Sequence, residues 1–573
     1  MIAGDAGIDA NKCVDALRKQ PVHGKGTRAR VLLTSVFGPY AQDDEFGSRA
    51  INPMELYHNQ VTRVQRSFSL RMFHRSWGIK LIQENISAPT TLLDFPTRER
   101  FIEEITSQRY DVVGITSIIP NVAKVAHMCE LIRRHLPEAQ IVVGGHLANL
   151  PRLENRIDAD HIVRGEGVRW MRLYLGQDPD APIKHPHLSS GLGARSMGMN
   201  VSDKPGETAA TLIPSVGCPM GCNFCSTSAM FGGKGKCYHF YETGDELYEV
   251  MCELERSMRV RSFFVMDENF LLHRKRALRL LELMQRDDKA WALYVFSSAN
   301  VLELYSIEQL VGLGISWVWM GLEGENSRYA KLKRANTKEL VRTLQSHGIR
   351  VLGSTIIGLE EHTPENIDEA IEYAVDHDTE FHQFMLYTAV AGTPLHAEQQ
   401  AAGALLNHEE IAIADTHGQF RFNFKHPHIT EGRENEFLLR AFRRDFEVNG
   451  PSIVRIARTL LAGWKRYKND VDKRVRRRFR WEARDLAVSY GACLWAARRW
   501  YRGDKPMMDK ISRTLKDLYK GLGLKARLIA PLAGRYVYTK LKREERRLRS
   551  GWTYEPPTFY EHNVAAAAAA RTG

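Results

Sequence analysis

The chain has 573 residues, a net charge of +12 and an ordinary 43% share of hydrophobic residues. This length exceeds one compact core, so at roughly 150 residues per unit we expect three or four domains. No stretch approaches the ~18 apolar residues of a membrane span, the N-terminus lacks the pattern of a secretory signal, and eight cysteines are too few for a disulfide scaffold. These features predict a cytoplasmic protein.

Residues 28–177 alternate short apolar runs with helical segments. The predicted elements are strands at 30–35, 111–116 and 140–145 and helices at 98–108 and 122–135. Such alternation is typical of a parallel, doubly wound sheet. Residues 1–27 are interpreted as an N-terminal extension. Residues 178–209 are rich in Pro, Gly, Ser and His without periodicity, which indicates a linker.

The alternation of strands and helices resumes over residues 210–425 with more units, which favours a full or partial barrel. Residues 426–560 are helical and basic, and residues 561–573 are predicted to be an unfolded tail because of their alanine run. From Pro451 to the end the sequence contains 30 Lys plus Arg and 11 Asp plus Glu, which gives a local charge of +19. The first 450 residues therefore have a net charge of −7. The pattern therefore predicts a mildly acidic body with a basic C-terminal module.

A cysteine-rich loop opens the second αβ region. The strand predicted at 211–216 runs into Cys218, Cys222 and Cys225, spaced C-x3-C-x2-C, with Phe224 before the last cysteine. Three thiolates can hold three irons of a [4Fe-4S] cubane and leave the fourth iron open to an exogenous ligand. The alternative is a zinc site, or a structural cluster completed by a distant ligand such as Cys237.

This loop, Phe224 included, resembles the cluster loop of the radical S-adenosylmethionine (SAM) superfamily, and the resemblance covers roughly residues 214–394. It implies that the amino and carboxylate groups of SAM chelate the open iron. One electron from the cluster would then cleave the sulfonium to methionine and a 5′-deoxyadenosyl radical. In such enzymes the protein orients the cofactors and excludes water and oxygen.

Further motifs follow in the order of that family. An acidic turn after the strand at 262–266 resembles the one that meets the methionyl ammonium, and the strand at 317–323 resembles the one that approaches the ribose. The segment 354–361 resembles the adenine-side motif, with Ser354 where Gly is usual, and 389–395 resembles a Pro-Gly-Thr-Pro turn with Ala391 for the first Pro. The resemblance implies SAM contacts at Asp267, Glu268, Asn269, Ser298, Asn300, Glu323, Ile356, Gly358 and Glu361. No catalytic side chain is identified.

The N-terminal domain resembles the cobalamin-binding domains that are fused to radical SAM barrels. Its loops 116–118, 144–146 and 164–167 follow apolar strands, at the sheet edge where ligands of open α/β folds bind, and glycines there let the backbone approach a large flat ligand. The implied cobalamin contacts are Ser117, Gly144, Gly145, Gly165 and Glu166. The alternative is a domain that keeps the fold without the cofactor.

The sequence contains no Asp-x-His-x-x-Gly motif, which would mark a histidine as the lower ligand of cobalt. His74 and His146 are candidates without support from any motif. We therefore expect cobalamin to be bound without a protein histidine on the metal.

The two resemblances together imply methylation of an unactivated carbon: the adenosyl radical removes hydrogen, the substrate radical takes a methyl group from methylcobalamin, and a second SAM remethylates the cobalt. The alternative within enzymes is a ring contraction, cyclisation or carbon–carbon coupling with cobalamin as a redox or structural partner. The alternative of another class is an iron–sulfur protein that binds nucleic acid. We expect flavodoxin or ferredoxin as the electron donor, and no motif identifies the substrate.

The basic module also carries apolar residues. Segments 453–464 and 492–501 place Trp, Leu and Ile beside Arg at helical spacing, and 473–480 is the densest basic run. Such helices suit an anionic bilayer surface, at about 1 kcal/mol per basic residue. We predict peripheral contact with the inner face of an anionic membrane and a lipid or other hydrophobic substrate. A packed helical domain with a solvated basic face, or phosphate binding to nucleic acid, are the alternatives.

Overall fold

The computed structural model describes residues 22–38, 44–46, 51–52, 54–201, 204, 206–324, 336–552 and 554–563. The strands are β1 (Val31–Ser35), β2 (Arg71–Phe73), β3 (Thr90–Asp94), β4 (Val112–Thr116), β5 (Gln140–Gly144), β6 (His161–Ile162), β7 (Ser189–Ser190), β8 (Leu192–Ser196), β9 (Met199–Asn200), β10 (Ala209–Leu212), β11 (Ser215–Val216), β12 (Tyr238–His239), β13 (Ser262–Val265), β14 (Ala292–Phe296), β15 (Ile315–Gly321), β16 (Arg350–Ile357), β17 (Phe381–Leu386) and β18 (Phe559–Asn563).

The α-helices are α1 (Trp77–Glu84), α2 (Arg98–Ser107), α3 (Val122–His135), α4 (Gly167–Tyr174), α5 (Ser226–Met230), α6 (Gly244–Met258), α7 (Arg274–Arg286), α8 (Ala299–Leu302), α9 (Ile307–Gly312), α10 (Thr337–Ser346), α11 (Ile367–Val375), α12 (Pro394–Ala401), α13 (Glu434–Asn449), α14 (Ser452–Tyr467), α15 (Lys473–Glu482), α16 (Gly491–Trp500) and α17 (Lys505–Arg549). No helix among the described residues is both long and apolar enough to cross a membrane.

The N-terminal sheet has the strand order β18-β3-β1-β4-β5-β6. Strands β3, β1, β4, β5 and β6 are parallel, and β1 and β3 are buried at every position because helices cover both faces of the sheet. Leu32 and Val113 pack on the face covered by α2 and α3, whereas Leu33 and Val142 pack on the face covered by α1 and α4. The predicted doubly wound, Rossmann-like sheet is confirmed.

The last strand of that sheet comes from the far end of the chain. Strand β18 pairs antiparallel with β3, from Phe559 opposite Asp94 to Asn563 opposite Thr90, and Glu561 forms ion pairs with Arg75 and Lys80. The prediction of an unfolded tail from residue 561 is therefore wrong for 561–563, because these backbone groups complete the otherwise open edge of β3. Residues 564–573 lie outside the described residues.

The interpretation of residues 178–209 as a linker also needs correction. Strand β7 pairs antiparallel with β10 at the edge of the barrel sheet, and β8 pairs with β2 and β9 in a small sheet. Local composition could not reveal these strands, because each is short. Strands β7 and β8 also pair with β10 and β2, which are not adjacent to them in the sequence.

The second sheet has the order β17-β16-β15-β14-β13-β10-β7, with six parallel strands and β7 as the antiparallel edge. Helices α6, α7, α9 and α10 follow the strands and bury the outward-facing residues, such as Phe263, Leu293 and Val318. Among the described residues the sheet does not close between β17 and β7, so the predicted partial (β/α) barrel is confirmed.

The C-terminal helices form one further core. Residues of α14, α16 and α17 pack together and against Tyr57 and Phe68 from the N-terminal part of the chain. The dense basic run lies in α15, where Arg474 donates to the Gly312 carbonyl oxygen (2.5 Å) and Arg478 donates to that of Val311 (2.8 Å). Both carbonyls lie at the end of α9, a favourable place for a cation. The helical module is confirmed. Some of its basic side chains form hydrogen bonds with the barrel.

Candidate active site

A cavity of about 790 Å³ lies between the N-terminal sheet and the barrel. On one side it is lined by the carboxyl ends of β1, β4 and β5, and on the other by inward-facing barrel residues and by α5, which follows the cysteine loop. Its volume is in the range of ligand pockets. The cavity therefore brings together the two regions that the sequence singles out.

All five residues implied as cobalamin contacts line this cavity: Ser117, Gly144, Gly145, Gly165 and Glu166. Gly145 has φ +77°, and a Cβ there would lie 2.7 Å from both the Ser117 carbonyl oxygen and the Thr116 hydroxyl oxygen. Gly165 also has a positive φ, +88°. The conformation at these two positions therefore favours glycine. The exposed backbone at this sheet edge would let a large flat ligand lie against it.

Glu166 caps helix α4 at the rim of the same cavity. Its two carboxylate oxygens accept hydrogen bonds from the backbone amides of Val168 (2.6 Å) and Arg169 (2.9 Å). Burial raises the pKa of Glu166, and the two amide donors oppose that rise. The carboxylate holds the Gly165 loop against α4, which makes Glu166 a positioning residue for the cavity rim.

Both candidate histidines line the cavity. His146 follows Gly145, burial lowers its pKa, and its Nδ1 is buried without a hydrogen-bond partner among the described residues. The His74 ring lies between those of Tyr57 and Phe264, with centroids 6.0 and 5.5 Å away, and burial lowers the pKa of His74 to about 4. Burial thus favours the neutral form of both imidazoles.

The cysteine loop is tightly folded. Gly217 and Gly221 have φ of +89° and +65°, and a Cβ on Gly221 would lie 2.4 Å from the Lys234 Cβ. The Cys225 Sγ caps α5 by accepting from the Ser228 amide (3.4 Å), while the Ser228 hydroxyl donates to the Cys218 carbonyl (2.8 Å). Cys218, Cys222 and Cys225 are all half-buried.

The distances between ligand atoms distinguish a cubane site from a site for a single metal ion. Within the described ranges, one set of three Cys, His, Asp or Glu ligand atoms lies within 4.8 Å of one another, and it consists of Cys237, His239 and His273. The three loop cysteines do not form such a set. Because each cysteine of a cubane binds a different iron, their sulfurs must be further apart than around one ion. The loop therefore fits a cluster, and Cys237 belongs to a different group.

The acidic turn after β13 contains one carboxyl group with partners on both oxygens and one with an unpartnered oxygen. Asp267 is buried, accepts hydrogen bonds from the Ser215 hydroxyl and the Asn269 amide (3.1 Å), and pairs with the Arg276 guanidinium (2.6 Å). Glu268 lines the cavity, and its Oε2 is buried without a hydrogen-bond partner in the described part of the chain. Burial and the charge of Asp267 raise the pKa of Glu268 to about 8. Such a carboxylate fits a cationic ligand, which the ammonium of SAM would supply.

A polar network joins three more of the predicted SAM contacts at the ends of β13 and β14. Asn269 donates to the Ser298 hydroxyl (3.2 Å), and Ser298 donates to the Asn300 side-chain oxygen (2.8 Å). The Ser297 hydroxyl donates to the Asn269 side-chain oxygen (3.2 Å). Glu323 follows β15 and is buried. These residues share the carboxyl end of the barrel strands.

The predicted adenine-side residues separate in space. Ile356 is buried in β16, and Gly358 has φ +78°, with any Cβ 2.3 Å from the Phe422 ring. Glu361 is exposed and does not line the cavity. The Ser354 hydroxyl donates to Gln383 (2.9 Å), which lines the cavity, so Ser at this position connects β16 to β17.

Sequence reasoning missed the aromatic lining of the barrel. Ring centroids are 4.9 Å apart for Phe264 and Tyr294, 4.9 Å for Phe296 and Trp319, and 5.4 Å for Trp317 and Phe381. Phe264, Phe296 and Trp319 line the cavity. The signal was present as alternate aromatic residues on successive parallel strands, since residues two apart face the same side of a sheet.

The family model described as the radical SAM superfamily matches residues 212–374, and the model described as the B12 binding domain matches residues 74–173. An uncharacterized methyltransferase of Pyrococcus horikoshii is 25% identical over 50% of this chain and 68% of that protein. Bacteriochlorophyllide d C-12(1)-methyltransferase of Chlorobaculum tepidum is 27% identical over 33% and 42%. Anaerobic magnesium-protoporphyrin IX monomethyl ester cyclase of Rubrivivax gelatinosus is 25% identical over 50% and 58%. The matches thus span about two fifths to two thirds of these relatives.

Proposed function

Since this chain belongs to the radical SAM enzymes that carry a B12-binding domain, we propose that it transfers a methyl group to an unactivated carbon. The observation that carries the proposal is the shared cavity. Its lining contains the five predicted cobalamin contacts on one side, and Glu268 and helix α5 on the other. A substrate between these walls would be in reach of both cofactors.

The residues present fit each cofactor. Cys218, Cys222 and Cys225 would hold the cluster. Glu268 would accept a hydrogen bond from the SAM ammonium, and the Gly145 loop would hold cobalamin. When bound, these groups supply the radical that activates the substrate and the methyl group that is transferred. The chain itself binds and orients them, and the aromatic wall excludes water from the cavity.

Deuterium labelling tests the proposed methylation. Anaerobically reconstituted full-length protein is incubated with a strong reductant, SAM with a deuterated methyl group, and a metabolite and lipid extract. Methylation predicts 5′-deoxyadenosine, S-adenosylhomocysteine and a product that retains the deuterated methyl group. The cyclase among the relatives favours a second candidate, cyclisation or another rearrangement, which predicts 5′-deoxyadenosine and a product without the label.

We propose a hydrophobic substrate, because the barrel side of the cavity is lined by Phe264, Phe296 and Trp319. Aromatic rings bury large apolar areas and bind flat or extended apolar groups. The same labelled assay with the extract split into lipid and aqueous fractions tests this point. We expect the labelled product in the lipid fraction, and a labelled product only in the aqueous fraction would contradict the proposal.

We also propose that the protein contacts anionic membranes through α17. The segments 453–464 and 492–501, on which sequence reasoning placed this contact, are largely buried in the C-terminal core. Instead, apolar side chains are exposed at every fourth position of α17 after its kink at Gly523. They are Leu524 (73% exposed), Leu528 (66%), Leu532 (68%) and Tyr536 (61%).

Charge complementarity supports a lipid surface as the partner of this stripe. Between residues 518 and 543 the chain has no Asp or Glu and carries Lys520, Lys525, Arg527, Arg535, Lys540, Lys542 and Arg543. Residues four apart share one helix face, so the leucines form a continuous apolar strip flanked by cations. Such a face suits the interface of an anionic bilayer.

Vesicle cosedimentation tests the membrane contact in the full chain, because the C-terminal helices pack against N-terminal residues and cannot be removed cleanly. We expect pelleting with anionic but not neutral vesicles, weaker at high salt, and loss of pelleting in Leu528→Asp/Leu532→Asp. Leu304→Asp, at an exposed leucine on the barrel, is the control. If the protein does not pellet with vesicles and the double substitution converts a dimer to a monomer, the apolar stripe is an interface between copies of this chain. The proposal of membrane contact is then wrong.

We propose that flavodoxin or ferredoxin donates electrons at the exposed Gly-Lys loop beside the cluster. The Gly235 amide donates to the Pro219 carbonyl (2.9 Å), which places Lys234 and Lys236 next to the cysteine loop. These lysines complement an acidic donor protein. We expect Lys234→Glu/Lys236→Glu to slow reduction by flavodoxin about tenfold without changing reduction by dithionite, with Lys473→Glu as the control. Equal slowing with both reductants would contradict this docking site.

A further inference from the structure

Three side chains near the cluster loop converge although the proposed reaction does not use them. Cys237 and His239 are two residues apart on the segment that contains β12, so they face the same side, and His273 precedes α7. One ligand atom from each lies within 4.8 Å of the other two, and all three residues are half-buried.

The two imidazoles of this group lie against each other, edge to face. Their ring centroids are 4.4 Å apart and their planes are nearly perpendicular, at 88°. The Nδ1 of His239 is buried and has no hydrogen-bond partner among the described residues. A buried nitrogen in this state costs free energy, which a metal ion in the group would remove.

One carboxylate beside this group already has partners. Asp267 lies beside this group, but its oxygens accept from Ser215 and Asn269 and pair with Arg276. The group itself supplies one sulfur and two nitrogens. This set is typical of zinc, which is bound tetrahedrally by Cys and His, with water in the fourth position where the protein supplies three ligands.

We propose that Cys237, His239 and His273 bind one Zn²⁺ ion, separate from the iron–sulfur cluster. The ion would join two segments that flank the active site. Strand β12 pairs with β11, His239 opposite Ser215, and β11 leads directly into the cysteine loop. His273 follows the turn that contains Glu268 and is the N-cap residue of α7. The zinc site therefore braces the cluster loop against the turn that presents Glu268 to the cavity.

Metal analysis of the full chain, purified without oxygen from zinc-containing medium, tests this assignment. We expect about one zinc in addition to about four irons per chain. Cys237→Ser and His273→Ala each remove the zinc and leave the iron content unchanged. Cys252→Ser is the matched control, because Cys252 is also half-buried but lies on α6 outside the group. The triple variant Cys218→Ala/Cys222→Ala/Cys225→Ala loses the iron and keeps the zinc.

X-ray absorption of the zinc identifies the ligands directly. The expected spectrum of the full chain has one sulfur at about 2.3 Å and nitrogen or oxygen neighbours at about 2.0 Å. Co²⁺ added to the triple variant, prepared without cobalamin, should give the intense visible bands of a tetrahedral thiolate site.

Two results would overturn the proposal. One is a full chain free of zinc that also fails to bind added Co²⁺ in a thiolate site. The other is an iron content that falls in Cys237→Ser as far as in Cys222→Ala, because Cys237 would then be a ligand of the cluster. Neither measurement depends on methyl transfer, so failure of the proposed reaction and failure of the zinc site are distinguishable.

Discussion

The two walls of the cavity are built from different parts of the chain. The N-terminal wall presents backbone, with Gly145 and Gly165 at positive φ, whereas the barrel wall presents side chains, chiefly aromatic rings and Glu268. Exposed backbone lets a large rigid cofactor lie close against the sheet edge over a wide contact area. Side chains can match the shape and charge of smaller groups. The proposed function assigns a different cofactor to each wall, and it therefore predicts that each wall can be damaged alone.

The largest expected effect is at the cysteine loop, which leads into helix α5 of the barrel wall. In Cys222→Ala the iron content falls from about four per chain to near zero, because two thiolates hold a cubane poorly. Formation of 5′-deoxyadenosine should be abolished, while cobalamin content stays as in the unchanged protein. Cys252→Ser should keep all three properties. If Cys222→Ala still formed 5′-deoxyadenosine, the cluster assignment would be wrong.

The complementary change is on the N-terminal wall. Gly145→Ala forces a methyl group to within 2.7 Å of the Ser117 carbonyl oxygen at φ +77°. Strain of ~1–3 kcal/mol should lower cobalamin content about tenfold or more, with iron content and 5′-deoxyadenosine formation retained. Gly503→Ala is the control, since a Cβ there would meet nothing within 4 Å and Gly503 does not line the cavity. Equal losses in the two variants would argue against a backbone-built cofactor site.

A smaller effect is expected from the carboxylate on the barrel wall. Glu268→Gln removes the proposed partner of the SAM ammonium and should raise the KM for SAM about tenfold, or ~1.4 kcal/mol, without loss of cluster or cobalamin. Glu361→Gln is the control, because Glu361 is exposed away from the cavity. A larger effect at Glu361 than at Glu268 would restore the prediction made from the motif.

The smallest effect is expected at His146, which lines the N-terminal wall. We predict that cobalamin is bound without a histidine on cobalt, so the Co(II) spectrum of the full chain in electron paramagnetic resonance should lack nitrogen splitting from a protein ligand. His146→Ala and His74→Ala should leave this spectrum unchanged. Nitrogen splitting that disappears in either variant would identify that histidine as the ligand and refute the prediction.

The C-terminal module shows where charge in a sequence misleads. The run 473–480 is the densest in cations, yet Arg474 and Arg478 are buried against carbonyl groups of the barrel, and Arg477 pairs with Asp288. The apolar stripe of α17 is less conspicuous in the sequence but is exposed. Composition counts charges, whereas the packing of the helices decides which of them face the solvent.

The amino-acid sequence by itself determined the order of the domains, the cluster loop and the glycine edge of the N-terminal sheet. These features are local, since the spacing of Cys218, Cys222 and Cys225 and the position of glycines after strands depend only on neighbouring residues. Only the tertiary structure decided that β18 completes the first sheet, that Glu268 faces the cavity while Asp267 does not, and that His273 joins Cys237 and His239. Each of these depends on contacts between residues far apart in the chain, and local periodicity carries no record of such contacts.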